Sequence, residues 1–406
     1  MRIIVSHPTG NTFVRSLLCY LNKLTLLDCF FTTISWSESS KLNKLLPTTL
    51  KRILTRRSFP IANNSIDTYS FREICRLLLG NRLSRFKLFE QSFGINNIYR
   101  TFDKFVSEQL LLKDFTHIHC YEDCALNTFM RSKELGIFCS YELPIAYWRT
   151  LHQLLEDQLS LRPEWGPTMQ YTYDDEEKLQ CKDLELELAD SIVVPSEFVK
   201  NSLKEHNIKY KHIVVAPFGT PVLPDESLIT KPKLPPIRFL FAGSMSQRKG
   251  LADLLEAFNQ LQRSDVELVI MGTPLMPFEF YRSIYNDFIF EPPRPHNEVL
   301  KLMQSCHVLV LPSIVEGRAL VQQEAMSQQM ALLVTRNAGG EDLVISGQTG
   351  FIVPPSDPLA LVAAINKFAD NPGQTLDMGH AARKHVEKYS WDSYCKKIVD
   401  SFESES

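Results

Sequence analysis

Glu316 and Glu324 stand with seven residues between them in HVLVLPSIVEGRALVQQEAMSQQMALLVTRNAGGEDLVISGQTGFIVPP, residues 307–355, and Arg248 and Lys249 close an earlier loop just ahead of a helical pattern. Carboxylates accept hydrogen bonds from hydroxyl-rich ligands such as a ribose or a sugar ring, and adjacent cations neutralise diphosphate oxygens. Between the two glutamates the pattern predicts a helix over 318–330, with Gly317, Arg318, Ala319 and Leu320 at its start. Free N–H groups and the positive dipole end at such a start suit a diphosphate. Taken alone the Glu-x7-Glu spacing is short enough to arise by accident, with Glu316 capping a loop and Glu324 on a solvated helix face.

The surrounding elements alternate as in a doubly wound sheet. An apolar strand over 308–311 breaks at Pro312, and a strand over 237–242 leads into a Gly243–Lys249 loop and a helix over 251–261. In an open α/β sheet such loops lie at the carboxyl edge, where ligands bind. The segment Gly243-x4-Arg248-Lys249-Gly250 partly imitates a P-loop, but Arg248 replaces its second glycine and Gly250 its magnesium-binding hydroxyl.

The first half reads the same way. A strand over 2–6, the turn HPTGN and a helix over 12–24 open it, and Gly10 in that turn can let backbone approach a phosphate. Residues 114–129, DFTHIHCYEDCALNTF, read as a strand carrying His117 and His119, then a helix from near Asp123. GIFCSYELP follows as a strand with Glu142 at its tip, then a helix to Asp190, a strand over 191–194, and a proline-rich linker. The expected division is an N-terminal domain over 1–218, a linker over 219–236, a second domain over 237–388, and a C-terminal helix over 389–406 that returns to the first domain.

PSIVEGRALVQQEAM with the later GGEDL and G-x-x-G-F-x-V-P-P elements resembles the donor site of the retaining glycosyltransferases of family 4. The ADSIVVPS segment resembles the end of that family's first domain. The resemblance implies a GT-B fold, α/β, with two Rossmann-like doubly wound domains facing across a cleft. It implies transfer of a sugar from a nucleotide-diphosphate-sugar donor to a glycan or lipid-linked acceptor, with retention and without a metal cofactor. Lys249, Glu316 and His119 are then the catalytic candidates. Gly10, Arg248, Lys249, Gly317, Arg318, Ala319, Leu320 and Glu324 are the donor-binding ones. Ser244 stands where relatives often carry an arginine, and Pro292 and Pro293 where they carry a glycine that turns around the base.

A net charge of −3 over 406 residues excludes a globally basic nucleic-acid binder. Nine cysteines without a CxxC pair fit reduced thiols and a cytoplasmic setting, and their spacing with His117 and His119 matches no standard zinc site. Residues 41–57 hold six basic side chains and no acidic one, and 72–88 mix Arg and Lys with Leu, Ile and Phe. Both stretches suit peripheral contact with an anionic membrane surface. Two other classes fit the same pattern: a catalytically silent GT-B scaffold that binds nucleotide, and a GT-B enzyme of another reaction, a sugar-nucleotide epimerase or phosphorylase.

Overall fold

The computed structural model describes residues 1–37, 48–83, 86–112, 115–169 and 174–403. Parts of the sequence expectations for 41–57, 72–88, 114–129 and 389–406 therefore lie outside the described residues. Seven strands form the first sheet: β1 (Ile3–Ser6), β2 (Leu27–Thr32), β3 (Ile66–Thr68), β4 (His117–Tyr121), β5 (Phe138–Glu142), β6 (Ser191–Val194) and β7 (His212–Val215). Six form the second: β8 (Ile237–Ala242), β9 (Val266–Met271), β10 (Ile289–Glu291), β11 (Val308–Leu311), β12 (Ala331–Thr335) and β13 (Gly350–Val353).

The sheet orders are β3-β2-β1-β4-β5-β6-β7 and β10-β9-β8-β11-β12-β13, and the paired strands run parallel. Crossover helices cover both faces, so strands such as β11 are apolar without alternation; β11 reads VLVL and all four residues are buried. Each order reverses once, between β1 and β4 and between β8 and β11. Loops diverge there to open a crevice at the carboxyl edge.

The helix Trp391–Glu403 leaves the second domain and completes the core of the first. Tyr394, Cys395, Ile398 and Phe402 join Ile3, Val5, Val14 and Leu17 in one buried cluster. Two expected helices are shorter at their starts. The one after β4 runs Leu126–Glu134, because Asp123 takes a left-handed turn (φ 73°) before it. The one after β11 runs only Val321–Ser327, since residues 316–320 are held by the neighbouring loop instead of by helical bonds.

Candidate functional site

The β8 and β11 loops meet at the second sheet's reversal. After β8 the chain makes a single turn, Gln247–Lys249, and passes through Gly250 at φ 73° into the helix Leu251–Gln260. A Cβ at Gly250 would stand 1.9 Å from the Pro312 carbonyl oxygen, so only glycine lets the two loops lie this close. The Arg248 carbonyl accepts the Ile314 amide at 2.9 Å, the Asn337 carbonyl accepts the Glu316 amide at 3.0 Å, and Asn337 Nδ2 donates to the Ile314 carbonyl at 2.7 Å. Three loops thus hold Glu316 in place.

Lys249 Nζ lies 2.6 Å from Glu316 Oε1, and an Arg248 guanidinium nitrogen lies 3.0 Å from the same oxygen. The three side chains are 13–16% exposed, enough to meet a ligand yet partly withdrawn from water. Burial pushes the Glu316 carboxyl up, but Lys249 and then Arg248 outweigh it and hold the group below its ordinary value. Two cations and one carboxylate at a crevice can bind a diphosphate together with a neighbouring hydroxyl.

Glu324 stands apart from this group. Its Oε1 lies 3.7 Å from His296 Nδ1 at the start of the helix His296–Gln304, and burial raises its pKa, with His296 only partly opposing. A half-buried carboxyl with so little compensation can accept bonds from a hydroxylated guest.

The remaining candidates are engaged elsewhere. Arg318 is not at the cleft: its side chain is fully buried, bonded to Asp342 at 2.6 Å, to Gln323 Oε1 and to the Gly339 carbonyl, and lies over the Tyr389 ring. The Ala319 amide donates to the Ala338 carbonyl, and Leu320 packs toward the first domain's core. Gly317 is one of the points where the domains touch. A Cβ there would stand 1.7 Å from the Pro144 carbonyl oxygen, and Ser196 Oγ donates to the Gly317 carbonyl at 2.7 Å.

His119 lies two residues inside the end of β4 with no exposed surface, its ring nitrogens bonded to Ser140 Oγ at 2.9 Å and Glu142 Oε2 at 3.2 Å. Glu142, expected at a polar tip, is equally buried and accepts from the Tyr394 hydroxyl at 2.8 Å. The returning helix covers both, and this geometry does not bring His119 to the crevice. The Gly10 amide is also occupied, donating to His7 Nδ1 at 2.7 Å while the Thr9 amide donates to it at 3.0 Å. Desolvation, with Arg57 next, lowers the His7 pKa to about 3, so the ring stays neutral and accepts both bonds. A Cβ at Gly10 would meet the Phe59 ring at 2.3 Å; backbone turning at φ 66° and packing account for this glycine.

A cavity of about 240 Å³ on the first domain's side is lined by Glu122, Asp123, Trp148, His152, Asp174 and Lys182, with Pro144 and Ile145 at the interdomain contact. Lys182 Nζ lies 2.8 Å from Glu122 and 3.2 Å from Asp123. These residues were missed in the sequence, where the acidic pair directly after β4 was the available signal. Among the described residues no cluster of three or more His, Cys, Asp or Glu is arranged to hold a metal, and no helix is long and apolar enough to cross a membrane.

Residues 225–385, which contain every charged group at this reversal, match the family model of glycosyl transferases group 1. The matched stretch spans most of the second domain. The chain is 30% identical over 115 residues to D-inositol 3-phosphate glycosyltransferase of Corynebacterium urealyticum, covering 28% of this chain and 27% of that protein. It is 29% identical over 179 residues to the Streptomyces avermitilis protein of the same name, covering 40% and 39%. The chain thus matches well under half the length of these relatives. Among solved structures, sucrose-phosphate synthase from Thermosynechococcus elongatus superposes with a TM-score of 0.63 at 18% identity, covering 99% of this chain and 98% of that one. HepE from Anabaena in complex with UDP gives 0.61 at 14%, and the lipopolysaccharide outer core galactosyltransferase WaaB 0.66 at 14%, each over the whole of both chains. At such identities the likeness establishes the fold, two Rossmann-like domains of the GT-B type.

Proposed function

We propose that the chain is a retaining glycosyltransferase of family 4, moving a sugar from a nucleotide-diphosphate-sugar donor to a hydroxyl of a glycan or lipid-linked acceptor. The observation that carries this reading is the meeting of Arg248, Lys249 and Glu316 where the second sheet reverses. The group 1 match over the same residues supports it, as do the UDP complex of HepE and the names of the partial relatives.

In this reading Lys249 and Arg248 take the diphosphate and stabilise the charge that grows on it as the glycosidic bond breaks. Glu316 turns toward the sugar hydroxyls once the phosphates satisfy the cations, and Glu324 holds the ribose. The helix Val321–Ser327 is two turns long, so the side-chain cations carry more of the phosphate charge than its dipole does. The two cations supply the positive charge that a divalent metal provides in other transferases. The cavity beside Pro144 faces the same junction and receives the acceptor, whose proton passes to a phosphate oxygen on the side from which the diphosphate leaves. Transfer on that one face retains the anomeric configuration.

Thermal melting of the chain with UDP, GDP or ADP, each also as its sugar conjugate, tests the donor site. A ligand at a hundred times its dissociation constant adds about 2.7 kcal/mol. One base should raise the melting temperature, and Lys249→Ala should abolish that shift and slow turnover by about a hundredfold, the cost of one preorganised charge donor. Unchanged turnover in Lys249→Ala would remove the phosphate assignment.

A further inference from the structure

Between β5 and β6 the chain leaves its own sheet and joins the other domain. Leu151 and Leu155 of the helix Trp148–Leu161, with Trp165 and Met169 beyond it, lie in one buried cluster with Phe239, Leu240 and Leu309 of the second sheet. The Trp165 ring meets Phe280 edge-on at 4.9 Å and Tyr281 at 5.7 Å, and the Tyr281 hydroxyl donates to the Met245 carbonyl at 2.8 Å. Met245 lies in the loop that carries Arg248 and Lys249.

The Gln247–Lys249 turn is only three residues long, so its placement depends on what grips its ends. Gln247, with no exposed surface, is gripped by the segment from the first domain. Its amide donates to Thr168 Oγ1 at 3.1 Å, and its Nε2 donates to Gln158 Oε1 at 2.7 Å and to Asp253 Oδ2 at 3.0 Å. Its Oε1 accepts the Ala252 amide at 2.9 Å. Arg162, from the same segment, bonds Asp253 at 2.8 Å and pairs that buried carboxylate with a cation.

We propose that Gln158 and Thr168 are positioning residues for the diphosphate site: acting through Gln247, they set where the Arg248 and Lys249 cations stand. This inference rests on the donor reading of those two cations. An apolar side chain at position 168 leaves the buried Gln247 amide without an acceptor, and one at position 158 leaves an Nε2 hydrogen without one. Such a loss is relieved by moving the turn, and the cations move with it.

The test is titration calorimetry of the full chain with UDP, GDP and ADP, below the melting range, on Thr168→Val, Thr168→Ser, Gln158→Met and Lys249→Ala. The affinity of whichever nucleotide the unaltered chain binds should fall about tenfold in Thr168→Val and in Gln158→Met, the worth of one lost hydrogen bond. Thr168→Ser, which keeps the hydroxyl, should restore it. A purely structural role would lower the melting temperature and leave the dissociation constant of the folded chain unchanged, and that result overturns the proposal. So does equal weakening by Thr168→Ser, which would trace the effect to the lost methyl. Gln158→Met, close to the native side chain in size, keeps the test decisive if Thr168→Val does not fold. Lys249→Ala separates the two readings. If it leaves binding unchanged, or if the unaltered chain binds none of the three nucleotides, the donor reading falls and the positioning role with it. Weakening in Lys249→Ala alone overturns the positioning role and spares the donor reading.

Discussion

Replacing Glu316 by glutamine should separate nucleotide binding from turnover. Its carboxylate is bonded to Lys249 at 2.6 Å and to Arg248 at 3.0 Å, so a diphosphate must take these cations from it. A phosphate oxygen on Lys249, at about 2.8 Å, would sit about 5–6 Å from the carboxylate with the cation between them. At that separation and an effective dielectric of about 40, each phosphate charge is repelled by roughly 1.4 kcal/mol. Glutamine keeps the shape without the charge. Nucleoside diphosphate should therefore bind about tenfold more tightly to Glu316→Gln, while sugar transfer slows because the amide is a poorer acceptor for the sugar hydroxyls. Isothermal titration with the diphosphate, beside an assay of product formation, reads both. Unchanged or weaker diphosphate binding would refute the competition between Glu316 and the phosphates. The same pair fixes an acid dependence. Glu316 is held below its ordinary value of 4.5, so its stabilisation is present above 4.5 and is lost as pH falls through the lowered folded value. The melting-temperature difference between wild type and Glu316→Gln should shrink in that acid range.

Three further perturbations probe separate parts of the molecule. Glu324→Ala should weaken nucleotide binding about tenfold to a hundredfold, the loss of a hydrogen bond to a charged acceptor, and leave the melting temperature unchanged or higher because a desolvated carboxyl is removed; an unchanged dissociation constant would end its ribose assignment. Burial, to which the Asp123 and Asp103 charges add and which the Ala125 amide and the Tyr141 hydroxyl offset only in part, raises the Glu185 carboxyl to about 8. Stability should therefore fall as pH rises from 4.5 to about 8, at up to about 1.4 kcal/mol per pH unit, and the slope should vanish in Glu185→Gln. A flat wild-type profile of melting temperature against pH would contradict this. Gly317→Ala places a Cβ 1.7 Å from the Pro144 carbonyl oxygen, so the domains must part; small-angle scattering should show a larger radius of gyration, and an unchanged one would show that the contact yields locally.

The strands were legible because parallel strands covered on both faces must be apolar runs, and 191–194, 237–242 and 308–311 have no other reading. Arg248, Lys249 and Glu316 were legible for a related reason: strand ends determine which loop residues reach a crevice. Arg318 was not. Gln323, the Gly339 carbonyl, Asp342 and Tyr389, which the fold gathers around it, make it an interior cation. His119 was misplaced because a local motif does not reveal that Tyr394 and Phe402 return to cover β4. The expected helix over 318–330 starts only at Val321, and before it the Glu316 and Ala319 amides donate to the Asn337 and Ala338 carbonyls of the loop after β12.

The two domains share a strand order through their first six strands, yet their reversals are filled differently, and that difference orients the site. At the first, between β1 and β4, a neutral His7 closes the Thr9 and Gly10 amides, Phe59 packs on Gly10, and Tyr121 stacks edge-on against both His7 and His119. Protein groups satisfy the very backbone donors that such a loop would offer an anion. At the second, between β8 and β11, two cations share one carboxylate, leaving more positive than negative charge for a guest to meet. An anionic ligand therefore gains charge-assisted bonds at the second crevice, while at the first it would have to displace His7. The fold supplies two equivalent crevices, and the loop side chains leave the excess positive charge for the proposed nucleotide at the second.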